Sequence, residues 1–416
     1  MSNTYEKIRN EVVAGGGVEE ADVTAGGPRA VIGIGALLGL LVLLAFVNIW
    51  TFVFLVGLLA SIFLHEVGHF VTARWSDIKV TQFFMGMGPR LWSFKRGEVE
   101  YGVRALPVGA FVRMIGMNNL DETPPEDEAR AFRNKSYPRR MLTITAGSLM
   151  HMLIAVVLLF TIYAGWGKRV GTGEVSFAAV DTSSPAALAG VQLDDRIIRA
   201  DGTAITAADQ LAPLVQSHSA GDVIALTLLR NGQTIDLSVV LGESPDPAKP
   251  GKGYLGVRSS ERAAYQTLPL ASAITHSFTD LGSSAWQSVG GVVTVMNPVN
   301  IIHHLSGADQ DQTTQPVTAV GVTRFSGAIG KEAGLPGILM MLAGVNVFVG
   351  LINMFPLLPF DGGHAAIATY ERLRSRRGRL YRADVAKMIP LTMAVMGFLI
   401  FVMMSGLYLD FTNPIR

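Results

Sequence analysis

Leu64-His65-Glu66-Val67-Gly68-His69 decides how this chain is read. Histidines at i and i+4 fall on one helix face, about one turn apart. That spacing lets two imidazoles hold one Zn²⁺, with the intervening Glu66 placed as general base. Immediately before it runs Thr51-Phe-Val-Phe-Leu-Val-Gly-Leu-Leu-Ala-Ser-Ile-Phe-Leu64, which reads as membrane-spanning. Ionisable groups inside a bilayer are costly and point to function rather than packing. The pair of histidines needs a third ligand before it defines a site.

The bulk composition agrees with a membrane setting. The 416 residues are 49% hydrophobic and only 16% charged, well below the roughly 25% charged residues of soluble domains. Mean hydropathy is +0.36. The net charge of +1 gives no sign of a nucleic-acid partner. The chain has no cysteine, which excludes a disulfide framework, thiolate zinc ligands and a cysteine nucleophile.

Working outward, Met1 to Pro28 is polar and Gly-rich and is predicted to be a disordered tail without a removable signal peptide. The apolar stretch that follows is too long for one span, so two helices are predicted, Ala30 to Val47 and Thr51 to Arg74, turning near Asn48. A single long tilted helix is the alternative. Basic residues crowd after the second helix (Arg74, Lys79, Arg90, Lys95, Arg96, Arg104, Arg113), which makes that flank cytoplasmic. Region 29–117 therefore holds membrane helices, the zinc motif and a β-hairpin. Strand signals run from Val80 to Met117, with Arg90 to Phe94 and Val99 to Leu106 flanking the turn Lys95-Arg-Gly-Glu98. The hairpin reads either as a plain cytoplasmic hairpin or as a re-entrant sheet whose edge pairs with an extended substrate.

Residues 118–140 form a charged cytoplasmic loop, and 141–166 the next span. His151 within that span reads as a packed or hydrogen-bonded residue, not a ligand. Residues 172–257 resemble a PDZ domain. Ser184-Pro-Ala-Ala-Leu-Ala-Gly leads to Asp194-Asp-Arg-Ile-Ile198, a helix near Ala207 to Ser217 and a hairpin over Asn231-Gly232, a type I′ signal. Tyr254-Leu-Gly-Val257, the loop that caps a PDZ groove, comes last, which is the circularly permuted order. Residues 258–334 are predicted to be extracytoplasmic, with helical spacing over Ala273 to Leu305 that suits either an amphipathic helix on the outer membrane surface or a partly inserted segment. His303-His304 lie there and read as interfacial. Residues 335–416 carry the last spans, Leu335 to Phe360 and Ile389 to Leu409. The first ends in Asp361-Gly-Gly-His364, followed by Arg372, Arg374, Arg376, Arg377, Arg379 and Arg382, again a cytoplasmic mark.

Span parity brings Asp361 to the depth of His65 and His69. Two histidines and one carboxylate leave a fourth zinc position open, as catalytic zinc sites do. Gly362-Gly363 permit close backbone approach, Pro356 and Pro359 break helical hydrogen bonding, and Asn353 either orients substrate or bonds a neighbouring helix. His65-Glu66-x-x-His69, together with Asn353-x-x-Pro356 and Asp361-Gly-Gly363, resembles the site-2 protease family of intramembrane zinc metalloproteases. Phe84-x-Gly-x-Gly-Pro89 resembles that family's re-entrant β element. The single PDZ-like domain resembles the bacterial branch that cleaves membrane-bound anti-sigma factors. Ala328 in Phe325-Ser-Gly-Ala-Ile-Gly330 departs from the proline usual there.

The resemblance implies a polytopic α-helical membrane protein with a re-entrant β-hairpin and one α+β PDZ-like extracytoplasmic domain. It implies Zn²⁺ on His65, His69 and Asp361, with Glu66 and Asn353 catalytic. It implies a place in the bacterial inner (plasma) membrane, with the active site toward the cytoplasmic side. The implied partners are single-pass membrane substrates, already trimmed outside, the lipid bilayer, and peptide ends at the PDZ groove. Two other readings stay open: a protease whose third ligand is Glu371, and a PDZ scaffold or sensor with a structural zinc.

Overall fold

The computed structural model describes residues 28–117, 119–121, 123–246, 249–308, 314–375 and 379–414. The predicted tail before Pro28 lies outside the described residues, as do Arg376 and Arg377 of the second basic cluster. Helix α1 (Pro28–Val47) and helix α2 (Ile49–Trp75) are separate. Asn48 divides them in an extended conformation, its side chain accepting from the N–H groups of Trp50 and Thr51 at 3.1 and 3.2 Å. That cap satisfies donors which a continuous helix would not leave free. α2 buries one stripe, including Phe54, Ser61, His65 and His69.

Strands β1 (Val80–Arg96) and β2 (Val99–Met114) fill the stretch that carries strand signals and turn at Gly97-Glu98. Both double back. Residues 82–85 pair with 100–103 on one side and with 110–113 on the other, while 90–96 pair with 99–104. Two strands thus make a sheet four segments wide. Gly86 is at the bend with φ +89°, and a Cβ there would lie 2.5 Å from the Leu106 carbonyl oxygen, so a side chain is excluded. Arg130, on a short turn after the sheet, grips Glu98 at the hairpin tip through two bonds of 2.7 Å. Helix α3 (Tyr137–Gly165) follows.

Residues 164–269 form a compact β-rich unit. Its elements are β3 (Lys168–Val180), α4 (Pro185–Leu188), β4 (Arg196–Ala200), β5 (Thr203–Ala204), α5 (Leu211–Ser217), β6 (Val223–Arg230), β7 (Gln233–Val240), β8 (Gly242–Glu243), β9 (Gly253–Tyr254) and β10 (Val257–Gln266). The main sheet runs β10-β3-β4-β6-β7. Alternating residues such as Ile224, Leu226 and Leu228 point into a core with Phe177, Ile197 and Leu255. Asn231 and Gly232 both have positive φ, as a type I′ turn requires.

The chain then returns to the helical unit with α6 (Leu270–Val295), α7 (Pro298–Ser306), α8 (Ala319–Asn353), α9 (Asp361–Arg374) and α10 (Ile389–Thr412). Asn297-Pro298 splits the predicted amphipathic segment in two, with Asn297 capping α7. α8 is kinked at Gly334, before Pro336. It starts earlier than the predicted span and stops at Asn353. Asp361 does not end that helix; it is the first residue of α9, reached through a turn containing Pro356 and Pro359. Prolines without N–H groups cannot extend α8, so the chain reverses before the carboxylate arrives. Among the described residues, four helices are long and apolar enough to cross a membrane, spanning Ile49–Trp75, Tyr137–Gly165, Val320–Asn353 and Val385–Thr412.

Candidate active site

α2 places His65 and His69 one above the other, as the i, i+4 spacing demands. Their Nε2 atoms lie 3.2 Å apart. Asp361 Oδ2 lies 3.2 Å from His69 Nε2 and 3.6 Å from His65 Nε2. Tetrahedral zinc with bonds near 2.05 Å sets its ligand atoms about 3.4 Å apart. The three edges bracket that value, so this donor set fits Zn²⁺. Two nitrogens and one carboxylate oxygen are also the ligands expected at a catalytic site with an open fourth position.

The surroundings fix these groups. His69 Nδ1 lies 2.8 Å from the Thr143 carbonyl oxygen, which accepts its proton and leaves the Nε2 lone pair toward the triangle. Gly147, one turn along α3 from Thr143, faces both rings; a Cβ there would collide with the imidazoles of His65 and His69. Gly362 and Gly363 let the start of α9 press against the backbone of Met354 and of Leu357-Leu358, which seats Asp361. Glu66 Oε1 is 3.9 Å from His65 Nε2, with its side chain only 13% exposed. Val112 of β2 packs in one apolar cluster with Val67 and Phe70 of α2, beside Glu66. One sheet edge therefore lies beside the group that the sequence marks as base.

Asn353 is the last residue of α8, and the turn after it packs Met354 on Gly362, next to Asp361. Glu371 lies apart from the triangle, engaged by Arg140 at 2.7 Å and by the Ala383 N–H at 2.8 Å. Buried and committed to a guanidinium, it serves as the partner of a buried charge rather than as a third ligand. His151 is hydrogen-bonded, to Asn346 at 2.8 Å, but its ring also lies 4.9 Å from that of His65. His304 is buried and bonded to Thr314, so the interfacial reading fits only the exposed His303. The sequence reading missed Thr143 and Gly147. Their signal was the i, i+4 series Thr143, Gly147, His151 along one face of α3.

A membrane-embedded metallopeptidase is the class that this fold and this donor set define. The profile described as "Peptidase family M50" matches residues 53–400. Zinc metalloprotease Rip1 of Mycobacterium tuberculosis is 30% identical over 401 residues, 87% of this chain and 97% of that one. Rip1 of Mycolicibacterium smegmatis is 31% identical over 400 residues, with the same coverage of both chains. Among solved structures, the PDZ domain of an SdrC-like protein from Listeria monocytogenes is 20% identical and covers 21% of this chain and 90% of that one, with a TM-score of 0.19. The chain belongs to peptidase family M50 and is an intramembrane zinc metalloprotease.

Proposed function

We propose that this zinc metalloprotease cuts single-pass membrane proteins that have already lost their outer domain, such as trimmed anti-sigma factors, in regulated intramembrane proteolysis. The observation that carries this reading is the His65–His69–Asp361 triangle with a sheet edge close by: residues 110–113 of β2 form that edge, and Val112 packs with Val67, the neighbour of Glu66. A helical peptide bond is hydrogen-bonded and shielded. A substrate segment added to a sheet edge is extended, with its carbonyls open to attack.

The reaction divides among the chain's own groups. When bound, Zn²⁺ supplies Lewis acidity toward the scissile carbonyl and toward water. Glu66 takes the proton of the attacking water and delivers it to the leaving amine. Thr143 holds the proton on His69 Nδ1, so that His69 stays a ligand through Nε2. Asn353 orients the substrate carbonyl.

The flanking regions follow the same reading. Residues 29–117 enter the bilayer with a re-entrant sheet, 118–140 lie in the cytoplasm, and 141–166 cross outward. Residues 172–257 are a permuted extracytoplasmic PDZ domain, 258–334 are juxtamembrane, and 335–416 return the third ligand to the cytoplasmic half of the membrane. Support for the orientation is the arginine and lysine bias after α2 and after Asp361. Support for the permutation is β10, which follows Tyr254-Leu-Gly-Val257 and forms the edge of the main sheet beside β3. Such a domain would admit trimmed substrates and exclude those with a bulky outer domain.

The test is cleavage of a trimmed single-pass substrate by detergent-purified protein beside Glu66→Gln, with zinc measured in both. Cleavage by the parent alone, with zinc in both, is expected. Equal cleavage by both would refute Glu66 as base, and equal cleavage of untrimmed substrate would refute the size filter.

A further inference from the structure

The two zinc histidines are not held alike. His69 has the usual outer partner, the Thr143 carbonyl. His65 is held less firmly: its Nδ1 faces the Gly147 backbone but makes no hydrogen bond of the kind that Thr143 gives His69. A second group is needed to fix the plane of that ring. The ring that meets it is His151, 4.9 Å away between centroids and tilted by 41°.

His151 is itself held by a buried polar relay across three helices. Its Nδ1 is 2.8 Å from Asn346 Oδ1. Asn346 Nδ2 donates to Ser61 Oγ at 3.0 Å and to the Leu342 carbonyl at 2.8 Å. Ser61 Oγ donates to the Gly57 carbonyl at 2.9 Å. These directions fix the proton. Ser61 spends its hydrogen on Gly57, so it accepts from Asn346. Asn346 spends both N–H bonds, so its oxygen accepts from His151, which therefore carries its proton on Nδ1. His151, Asn346 and Ser61 are 3%, 1% and 4% exposed. Three satisfied polar groups in an apolar bundle are a device for fixing register.

Close helix approach frames the relay. A Cβ at Gly57 would come 2.5 Å from Leu342, and one at Gly350 3.0 Å from the Cβ of His151. On α2 the series Gly57, Ser61, His65, His69 continues at i, i+4 into the zinc motif.

We propose that His151 is the positioning residue of His65. The Ser61–Asn346–His151 relay fixes the His151 ring, and that ring fixes the His65 imidazole, doing for this ligand what the Thr143 carbonyl does for His69.

The experiment uses the full chain in detergent, with His151→Ala, Asn346→Ala, the double alanine variant and the double variant His151→Phe/Asn346→Leu. Three quantities are read: the zinc dissociation constant by competition with a chromophoric chelator, the visible absorption of the Co²⁺-loaded protein, and kcat and KM on a single-pass substrate. His151→Ala should raise the zinc dissociation constant about tenfold or more and alter the Co²⁺ bands. Asn346→Ala should act in the same direction, and the double alanine variant should be no worse than His151→Ala, because the relay acts through one ring. His151→Phe/Asn346→Leu keeps a ring on His65 and orphans no polar group, so zinc affinity should return to within about threefold of the parent. Unchanged zinc affinity and Co²⁺ bands in His151→Ala would overturn the proposal. So would a Phe/Leu variant with parental zinc binding and Co²⁺ bands but lost kcat, since His151 would then act on substrate directly. If His151→Ala does not fold, Asn346→Ala decides alone: weaker zinc affinity with altered Co²⁺ bands supports the proposal, and parental affinity and bands overturn it.

Discussion

Gly147→Ala sets two effects of opposite sign against each other. In a helix interior, alanine in place of glycine stabilises by about 0.8–1 kcal/mol. At Gly147 the added Cβ would collide with His65 Cε1 and His69 Nε2 and would stand 2.7 Å from His65 Nδ1. Carbon contacts rest near 3.5 Å, so the rings or α3 must move by about 1 Å. Metal sites tolerate errors of about 0.2 Å in ligand distance. Steric displacement therefore wins, and zinc affinity should fall about 100-fold, the scale on which a 1 Å misplacement is felt. The assay is zinc competition with a chelator, alongside Gly397→Ala in α10, where a Cβ would meet nothing within 4 Å. Gly397→Ala should bind zinc as the parent does. If Gly147→Ala also binds zinc within about threefold of the parent, the close approach of α3 to the histidines does not govern zinc binding.

Three further outcomes are expected. Chelator treatment should abolish cleavage, and Zn²⁺ alone should restore it; activity that survives verified zinc loss would sink the metal mechanism. Glu371→Ala should destabilise the protein by about 3 kcal/mol, because it strands buried Arg140, yet leave zinc content unchanged; loss of zinc with retained stability would revive Glu371 as a ligand. In the β-rich unit, burial alone would lift the Asp195 carboxyl, but hydrogen bonds from Arg230 at 2.6 and 2.7 Å and from the Gln192 N–H outweigh it and hold it below the usual range. A depressed folded pKa means its stabilisation is fully present above the unfolded value, near 3.9, and is lost as pH falls through the folded value. Thermal unfolding should show Asp195→Asn weakened at neutral pH, with the gap to the parent closing only below about pH 4; a gap independent of pH would exclude this linkage.

Features that depend on spacing along one helix, or on composition, are legible in the residues alone. His65 and His69 had to share a face of α2, the apolar runs had to become long helices, and Asn231-Gly232 had to turn a hairpin. Asp361 was also legible, because a carboxylate beside Gly362-Gly363 after an apolar stretch has few other uses, although its position at the start of α9 was not. Other features came only from the tertiary structure, since they join groups far apart in the chain. Thr143, Gly147 and His151 form an unremarkable series on α3 until α3 lies against α2 and each residue faces a ligand. Glu371 stays an alternative ligand in the sequence until Arg140, 231 residues away, claims it. The sequence marks β1 and β2 as strands but not the bends that bring residues 110–113 beside 82–85 and set Val112 beside Val67. Periodicity fixes which residues share a face. Packing alone fixes what that face meets, because helix crossings depend on side-chain shape along both partners at once.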